Sequence, residues 1–365
     1  MTIWDLDTPS LLIDLDRTEA NLDRAASYAS KHGLRLRPHT KTHKSPLVAG
    51  MQLDRGAPGL TVAKVGEAEV MAADRAASLL VAYPIWGDRK WQRLIQVAKS
   101  VPVTVALDGL ECAEGIHRHA SRAGVEIGIL LEADLGMQRC GIPPGKSLVA
   151  QGRAVSKLSS LRLDGILFYP GHVRPAAPGG ERAILSLRRG VEGLVERFRR
   201  AGLPTKVVSG GSTPTLYHSH KVRGMTEIRP GTYVFNDCMQ VAAGSCTWED
   251  CAATVMTTVV SVSGNGRAVI DGGSKTFTAE TIGAGGGATY GRVIGMPGAR
   301  FHRMNEEHGM LDLTACRSPR PRVGQRLRVI PNHVCVTVNM HEMAHGIRGE
   351  TVERSWPVAA RGKIQ

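Results

Sequence analysis

The sequence is that of an α/β protein, a (β/α)8 barrel followed by a C-terminal β-rich domain, and three observations predict it. Over the first two thirds of the 365 residues, short aliphatic or β-branched runs alternate with helical patterns. Repeated strand–helix units of this kind build a parallel sheet. Eight such runs occur before about residue 240, the number that closes a barrel. Beyond that point the texture becomes β-branched and turn-rich, with no helical stripe. The expected division is residues 9–240 for the barrel and 241–365 for the β-rich domain, with residues 1–8 packing beside the latter. The length suits two domains.

The eight strands are expected at 34–41, 60–63, 79–83, 103–107, 125–131, 163–168, 205–208 and 226–228. Helices are expected between them, for example at 66–77, 91–100, 111–123 and 190–201. In the last of these Val191, Leu194, Val195 and Phe198 share one face, while Glu192, Glu196, Arg197 and Arg200 face away. In the second part, 251–263 reads as a long strand followed by turns at Gly264-Asn265-Gly266 and Gly272-Gly273. Strands are expected at 327–330 and 334–339, around a turn at Pro331-Asn332. The glycine-rich stretch 283–287 lacks a strand–helix context, so it reads as a mobile surface loop rather than a phosphate loop.

Composition narrows the function. Hydrophobic residues make up 42% of the chain, which excludes disorder as its dominant state. No apolar stretch is long enough to span a bilayer, and the N-terminus shows no secretory signal, so a cytoplasmic protein is expected. The seven cysteines form no CxxC pair and read as reduced thiols. The net charge of +13 points first to polyanions. Yet aromatic residues are only 4%, and no nucleic-acid reader motif accompanies the scattered arginines. The run at 317–322 (RSPRPR) reads as a solvated turn. Neither nucleic acid nor membrane is an expected partner.

Several strand ends carry chemistry. Arg37, His39, Lys41 and His43 are two apart and would share a face at the end of the first barrel strand, with Lys44 beside them. Crowded cations favour the neutral form of an amine, which is a nucleophile toward carbonyls. The alternative is a solvated basic loop. After the fifth strand come Glu132, Asp134, a glycine turn and Arg139, which would set a cation over an anionic ligand or simply form a charged loop. Tyr169 follows the sixth strand, placed to stack on a flat ring or to pack. After the seventh, 209–215 (SGGSTPT) offers backbone N–H groups with Ser212 and Thr213, which suits a phosphate. After the eighth, 228–233 (IRPGTY) adds Gly231, Thr232 and Tyr233. In the β-rich part, His333 and Cys335 begin an expected strand and would point the same way, as half of a Zn²⁺ shell or as a core thiol beside a turn histidine. Asp271, Glu306, Glu307 and His308 offer outer-shell groups.

Taken together, the ordered motifs 38–44 (PHTKTHK), 136–141 (GMQRCG), 209–215, 226–235 (TEIRPGTYVF), 306–309 (EEHG), 331–335 (PNHVC) and 356–363 (WPVAARGK) resemble the alanine-racemase-type fold. The nearer likeness is to its D-threonine aldolase and D-serine dehydratase branch. The resemblance implies a pyridoxal 5′-phosphate (PLP)-binding barrel with a metal-carrying β-domain. Lys41, rather than Lys44, would be the Schiff-base lysine. Arg139 would approach the phenolate side of PLP and Tyr169 the ring. Ser212, Thr213, Gly231, Thr232 and Tyr233 would hold the phosphate. His333 and Cys335 would hold a divalent metal, Zn, Mn or Mg. Arg229 matches the racemase arginine without being assigned the pyridine nitrogen. Cys335 stands where the aldolases carry an aspartate and matches the Zn-dependent dehydratases, whereas Tyr169 and the ARGK tail look more like the aldolases. The implied activity is a lyase acting on D-3-hydroxy amino acids. Retro-aldol cleavage of a D-threonine-like substrate to glycine and an aldehyde leads, with dehydration of D-serine or D-3-hydroxyaspartate as the alternative. A racemase would leave the metal pair without a task, and a non-catalytic PLP-binding protein would lack the β-domain. A homodimer is also implied.

Overall fold

The structure is a computed structural model that describes residues 1–283 and 285–365. It divides into two units: Leu22–Lys41, Ser45–Gly231 and Gly362–Gln365 form a barrel unit, while Met1–Asn21, Thr42–Lys44 and Thr232–Arg361 form a β-rich unit. The chain opens with strand β1 (Ser10–Asp14) and helix α1 (Leu15–Lys31). Eight barrel strands follow: β2 (Arg35–Leu36), β3 (Leu60–Val62), β4 (Leu79–Val81), β5 (Val103–Leu107), β6 (Ile127–Glu132), β7 (Leu161–Leu167), β8 (Val207–Gly210) and β9 (Glu227–Ile228). The helices among them are α2 (Pro46–Leu53), α3 (Val65–Ala72), α4 (Asp88–Ala98), α5 (Leu110–Ala123), α6 (Lys146–Val155) and α7 (Gly180–Arg200).

Every barrel pairing is parallel, in the order β2-β9-β8-β7-β6-β5-β4-β3. A parallel bridge between His39 and Thr61 joins the two ends of that order. There the Thr61 N–H donates to the Pro38 carbonyl and the Thr40 N–H to the Thr61 carbonyl, each at 2.8 Å. All eight expected strands are present. The first is regular only over Arg35–Leu36, but its pairing continues beyond, the Arg37 N–H donating to the Ile228 carbonyl at 2.9 Å and the His39 N–H to the Pro230 carbonyl at 3.0 Å. Strand β6 is buried along its whole length, which is why these strands read as aliphatic runs rather than alternations. On α7, Ile184, Leu187, Val191, Leu194 and Phe198 are buried, as the apolar face requires.

The β-rich unit holds α8 (Cys238–Ala242), β10 (Ala253–Ser263), β11 (Arg267–Ile270), β12 (Gly291–Val293), β13 (Arg300–Met304), β14 (Gly309–Asp312), β15 (Arg326–Pro331), α9 (Val334–Met340), β16 (Met343–Arg348) and β17 (Thr351–Pro357). Its sheet runs β13-β14-β11-β10-β1-β16-β17, with β15 pairing β10 and β12. Val255, Val259, Ile270, Phe277, Phe301 and Val329 are among the buried residues of its core.

The expected elements differ from this structure in two places. Residues from 9 onward were expected in the barrel, but β1 lies in the β-rich sheet, antiparallel to β10 and parallel to β16. Leu11, Leu12 and Ile13 are all buried, so β1 has the aliphatic texture of a barrel strand. The segment 334–339 is helix α9 rather than a strand. Its β-branched residues are overridden by the Asp237 carboxylate, which accepts the Val334 N–H at 3.0 Å and anchors the first turn. Val334, Thr337 and Val338 then share its buried face. Of the glycine-rich stretch 283–287, Gly285–Gly287 form a 3-10 turn, and Ala284 lies outside the described residues. Among the described residues no helix is long and apolar enough to cross a membrane.

Candidate active site

In the barrel unit three of the expected residues come together. The Lys41 Nζ lies 5.9 Å from the centroid of the Tyr169 ring, and the Arg139 guanidinium lies 4.7 Å from the same centroid. Lys41 and Tyr169 are half-buried and Arg139 is exposed. The basic neighbours of Lys41 are committed elsewhere. Arg37 donates to the Glu227 carboxylate and the Ser78 hydroxyl, each at 2.9 Å. The His39 Nδ1 accepts the Lys41 N–H at 3.4 Å.

Below this cluster is a buried polar chain. Arg229 donates to the Ser209 hydroxyl at 2.6 Å and to the Phe168 carbonyl at 2.9 Å. Ser209 in turn donates to Glu227 at 2.6 Å. Burial draws the Arg229 guanidinium down to about 10, with Glu227, Glu132 and Tyr169 opposing the shift. Burial also raises Glu132, at the end of β6, against the pull of Arg229 and Arg139. Sequence reasoning left Arg229 unassigned and did not foresee this chain.

The expected phosphate loop follows β8. Gly210 has no space for a side chain, since a Cβ there would meet the Phe168 ring at 2.2 Å, and Gly211 adopts φ +85°. Ser212 and Thr213 are buried. Within the loop the Ser212 N–H donates to the Thr215 hydroxyl at 2.9 Å, and the Ser212 hydroxyl lies 3.1 Å from the same oxygen. Gly231 ends the barrel unit, whereas Thr232 and Tyr233 belong to the β-rich unit, in a 3-10 turn.

In the β-rich unit His333 precedes the first residue of α9 and Cys335 is the second residue of that helix. The two side chains interact, brought together by a helical turn and not by strand alternation. The Cys335 sulfur, ahead of Asp237 and Glu280 and against burial, pushes His333 up to about 9. The His333 Nδ1 meets the Glu280 carboxylate at 2.5 Å. The Cys335 Sγ lies 3.1 Å from the Thr42 hydroxyl and 3.6 Å from that of Thr232. Asp237 is buried, accepts the N–H groups of Val334 and Gln240 at 3.0 and 2.8 Å, and is pushed up to about 6 by that burial.

Two of the four expected outer-shell groups serve other purposes. Asp271 accepts the Thr258 N–H at 2.8 Å and the Thr8 hydroxyl at 2.5 Å, and Glu307 pairs with Lys275 at 2.7 Å. Glu280, Asp237 and Thr42 were missed. Asp237 alone carried a local signal, as a helix-capping aspartate three residues before Gln240.

Both groups implied by the sequence fit the residues present. A primary amine, a guanidinium and a phenol converge at the barrel mouth, and the Gly210-Gly211 backbone is bare, as an anionic aromatic carbonyl compound requires. In the β-rich unit an imidazole with Nδ1 on a carboxylate touches a sulfur, the donor chemistry of a soft divalent ion. Among the described residues no three His, Cys, Asp or Glu side chains group to hold a metal.

Comparison with known proteins agrees with this geometry. Residues 13–238 match the model of the alanine racemase N-terminal domain, and residues 252–347 match that of a putative serine dehydratase domain. The D-threonine aldolase of Arthrobacter sp is 30% identical, with 98% of this chain and 93% of the relative covered. The D-threo-3-hydroxyaspartate dehydratase of Delftia sp. (strain HT23) is 33% identical, with 92% and 93% covered. The crystal structure of the D-threonine aldolase from Filomicrobium marinum superposes with a TM-score of 0.92 at 31% identity, covering 99% of this chain and 98% of that one. With a matching barrel model and relatives similar along nearly its whole length, the chain belongs to the alanine racemase-type family, in the branch whose β-rich part is of the serine dehydratase type.

Proposed function

We propose that the protein is a PLP- and divalent-metal-dependent lyase that cleaves D-threonine-like 3-hydroxy amino acids to glycine and an aldehyde. The observation that carries this reading is the His333–Cys335 pair, with Glu280 on the His333 Nδ1. A racemase has no use for such a pair. The family relationship supports the coarser statement, a PLP-dependent lyase of D-hydroxy amino acids. PLP, when bound, supplies an electron sink for the bond broken at the substrate Cα.

Lys41 is the amine that holds the cofactor carbonyl, with Arg139 offering positive charge and Tyr169 a ring face. Ser212, Thr213, Gly231, Thr232 and Tyr233 hold the phosphate, Thr232 through its backbone N–H and not its hydroxyl. His333 and Cys335 hold the metal, whose chemistry there is that of a Lewis acid for the 3-hydroxyl. Zn suits the sulfur ligand; Mn and Mg are the other candidates. In the cleavage reading an ordered water beside His333 would take the hydroxyl proton, while Glu280 on Nδ1 keeps the His333 Nε2 turned to the metal. The second reading is a D-serine or D-3-hydroxyaspartate dehydratase, in which Lys41 removes the α-proton. Cys335 favours it, because the aldolases that this chain resembles carry an aspartate there. The protein is read as a cytoplasmic homodimer acting on a small substrate.

Product analysis with D-threonine and D-serine tests the proposal. Glycine and acetaldehyde, lost on treatment with EDTA while PLP stays bound, are the expected result. Pyruvate or 2-oxobutyrate with ammonia would replace it by the dehydratase reading. A protein that takes up PLP but turns over neither substrate would sink both.

A further inference from the structure

We propose that Thr42, seconded by Thr232, is a positioning residue for Cys335. Their hydroxyls donate hydrogen bonds to its thiolate and set how tightly Cys335 holds a soft divalent cation. The inference rests on the reading of His333 and Cys335 as the metal pair and adds residues to it.

Two threonines, Thr40 and Thr42, flank Lys41. Both are fully buried. Thr40 donates to the Thr61 carbonyl at 3.2 Å, where the barrel sheet closes. Thr42 has no such structural task in a sheet. Its hydroxyl lies 3.1 Å from the Cys335 sulfur, with the Thr232 hydroxyl 3.6 Å from the same atom. A valine would fill the same volume at position 42 without burying a hydroxyl, so the hydroxyl itself needs a reason.

A metal-binding sulfur is a thiolate, which accepts hydrogen bonds and donates none. Each threonine hydroxyl then has one direction in which to point its proton, toward the sulfur. Donation to an ionised acceptor is the stronger kind of hydrogen bond, and burial strengthens it further. Glu280 on the His333 Nδ1 does the equivalent for the other ligand. Each member of the pair therefore has its own orienting partner: a carboxylate for the imidazole and hydroxyls for the sulfur. Partners of this kind typically change metal affinity by about 10–100-fold. Donation also withdraws electron density from sulfur, so removing it brings the sulfur-to-metal charge transfer to lower energy.

Cobalt titration of the full-length, metal-stripped protein tests this, read by the sulfur-to-cobalt charge-transfer band and by equilibrium dialysis. The wild type should show the band, and Cys335→Ser should lose it. Thr42→Val is expected to weaken cobalt binding by about 10-fold and to move the band to longer wavelength, while Thr42→Ser restores both. Thr232→Val, at the longer contact, should shift both in the same direction by less, which keeps the test alive if Thr42→Val does not fold. Cobalt affinity and band position unchanged in both valine variants would overturn the proposal and leave the metal pair standing. A wild type that binds cobalt without a band dependent on Cys335 would overturn the metal pair, and the proposal with it.

Discussion

Replacing Arg229 by methionine tests whether the buried chain under the barrel mouth is built as described. Arg229 is buried and makes two hydrogen bonds, to the Ser209 hydroxyl at 2.6 Å and the Phe168 carbonyl at 2.9 Å. Hydrogen bonds to a charged group contribute about 1.5–3 kcal/mol each, so losing both costs about 3–6 kcal/mol. Removing the guanidinium also recovers its desolvation penalty, and methionine fills the space with apolar surface. Glu227 still has Arg37 at 2.9 Å, so it is not left without a counter-ion. The net expectation for Arg229→Met is a loss of about 3 kcal/mol, which moves the urea midpoint of the barrel transition down by about 1 M. Arg229→Lys keeps the charge but cannot reach both acceptors in one plane, and should lose about half as much. Equilibrium unfolding in urea, with and without PLP, measures both variants. A midpoint unmoved in Arg229→Met would refute the reasoning. So would a loss seen only in the PLP-loaded protein, since Arg229 would then act as a cofactor contact and not as a structural tie.

Other expectations follow from single contacts. Lys41→Ala should abolish the visible absorbance of PLP-loaded protein. Lys44→Met should keep that absorbance and lose stability by about 1–2 kcal/mol, because the buried Lys44 ammonium donates to the Ala360 carbonyl at 3.4 Å; thermal unfolding and absorbance separate the two. Glu280→Gln should weaken metal binding by about 10–100-fold with the fold intact, as measured by equilibrium dialysis. Glu132 is raised by burial, so the folded protein holds its proton more tightly than the unfolded chain does. Its contribution to stability is present below the ordinary carboxylate range and is lost as pH rises through the raised value. Glu132→Gln should flatten that part of the stability–pH curve, and an unchanged slope would count against the burial argument.

Much of the fold was legible because parallel strands covered on both faces read as aliphatic runs, and Ile127–Glu132 is such a run. The same property hid the membership of Ser10–Asp14. Its partners, Val255 and Ala344 opposite Leu11, lie hundreds of residues away, and a buried SLLID does not say which sheet it joins. The helix over Val334–Met340 was hidden for the opposite reason. Its β-branched composition is locally strand-like, and the Asp237 carboxylate that starts the helix is 97 residues distant in sequence. At the site, amines, imidazoles and thiols announce themselves by type, so Lys41, His333 and Cys335 could be singled out. Glu280 and Thr42 are common residues whose meaning comes only from the atom they touch.

The segment from Arg37 to Lys44 sends its basic side chains to several different places. Sequence alternation placed Arg37, His39, Lys41 and His43 on one face and singled out Lys41 through crowding by positive charge. Extended pairing carries on past β2 as far as His39, whose N–H donates to the Pro230 carbonyl at 3.0 Å, but Lys44 has φ +51° and the segment changes unit between Lys41 and Thr42, so the alternation does not extend to all four. Two of the basic side chains have distinct partners of their own. Arg37 goes to Glu227, and Lys44 is buried against the Ala360 carbonyl in the β-rich unit. Lys41 is left beside an aromatic ring shared with Arg139. What distinguishes Lys41 is therefore the commitment of its neighbours, and this also separates it from Lys44, which stands three residues away with the same functional group.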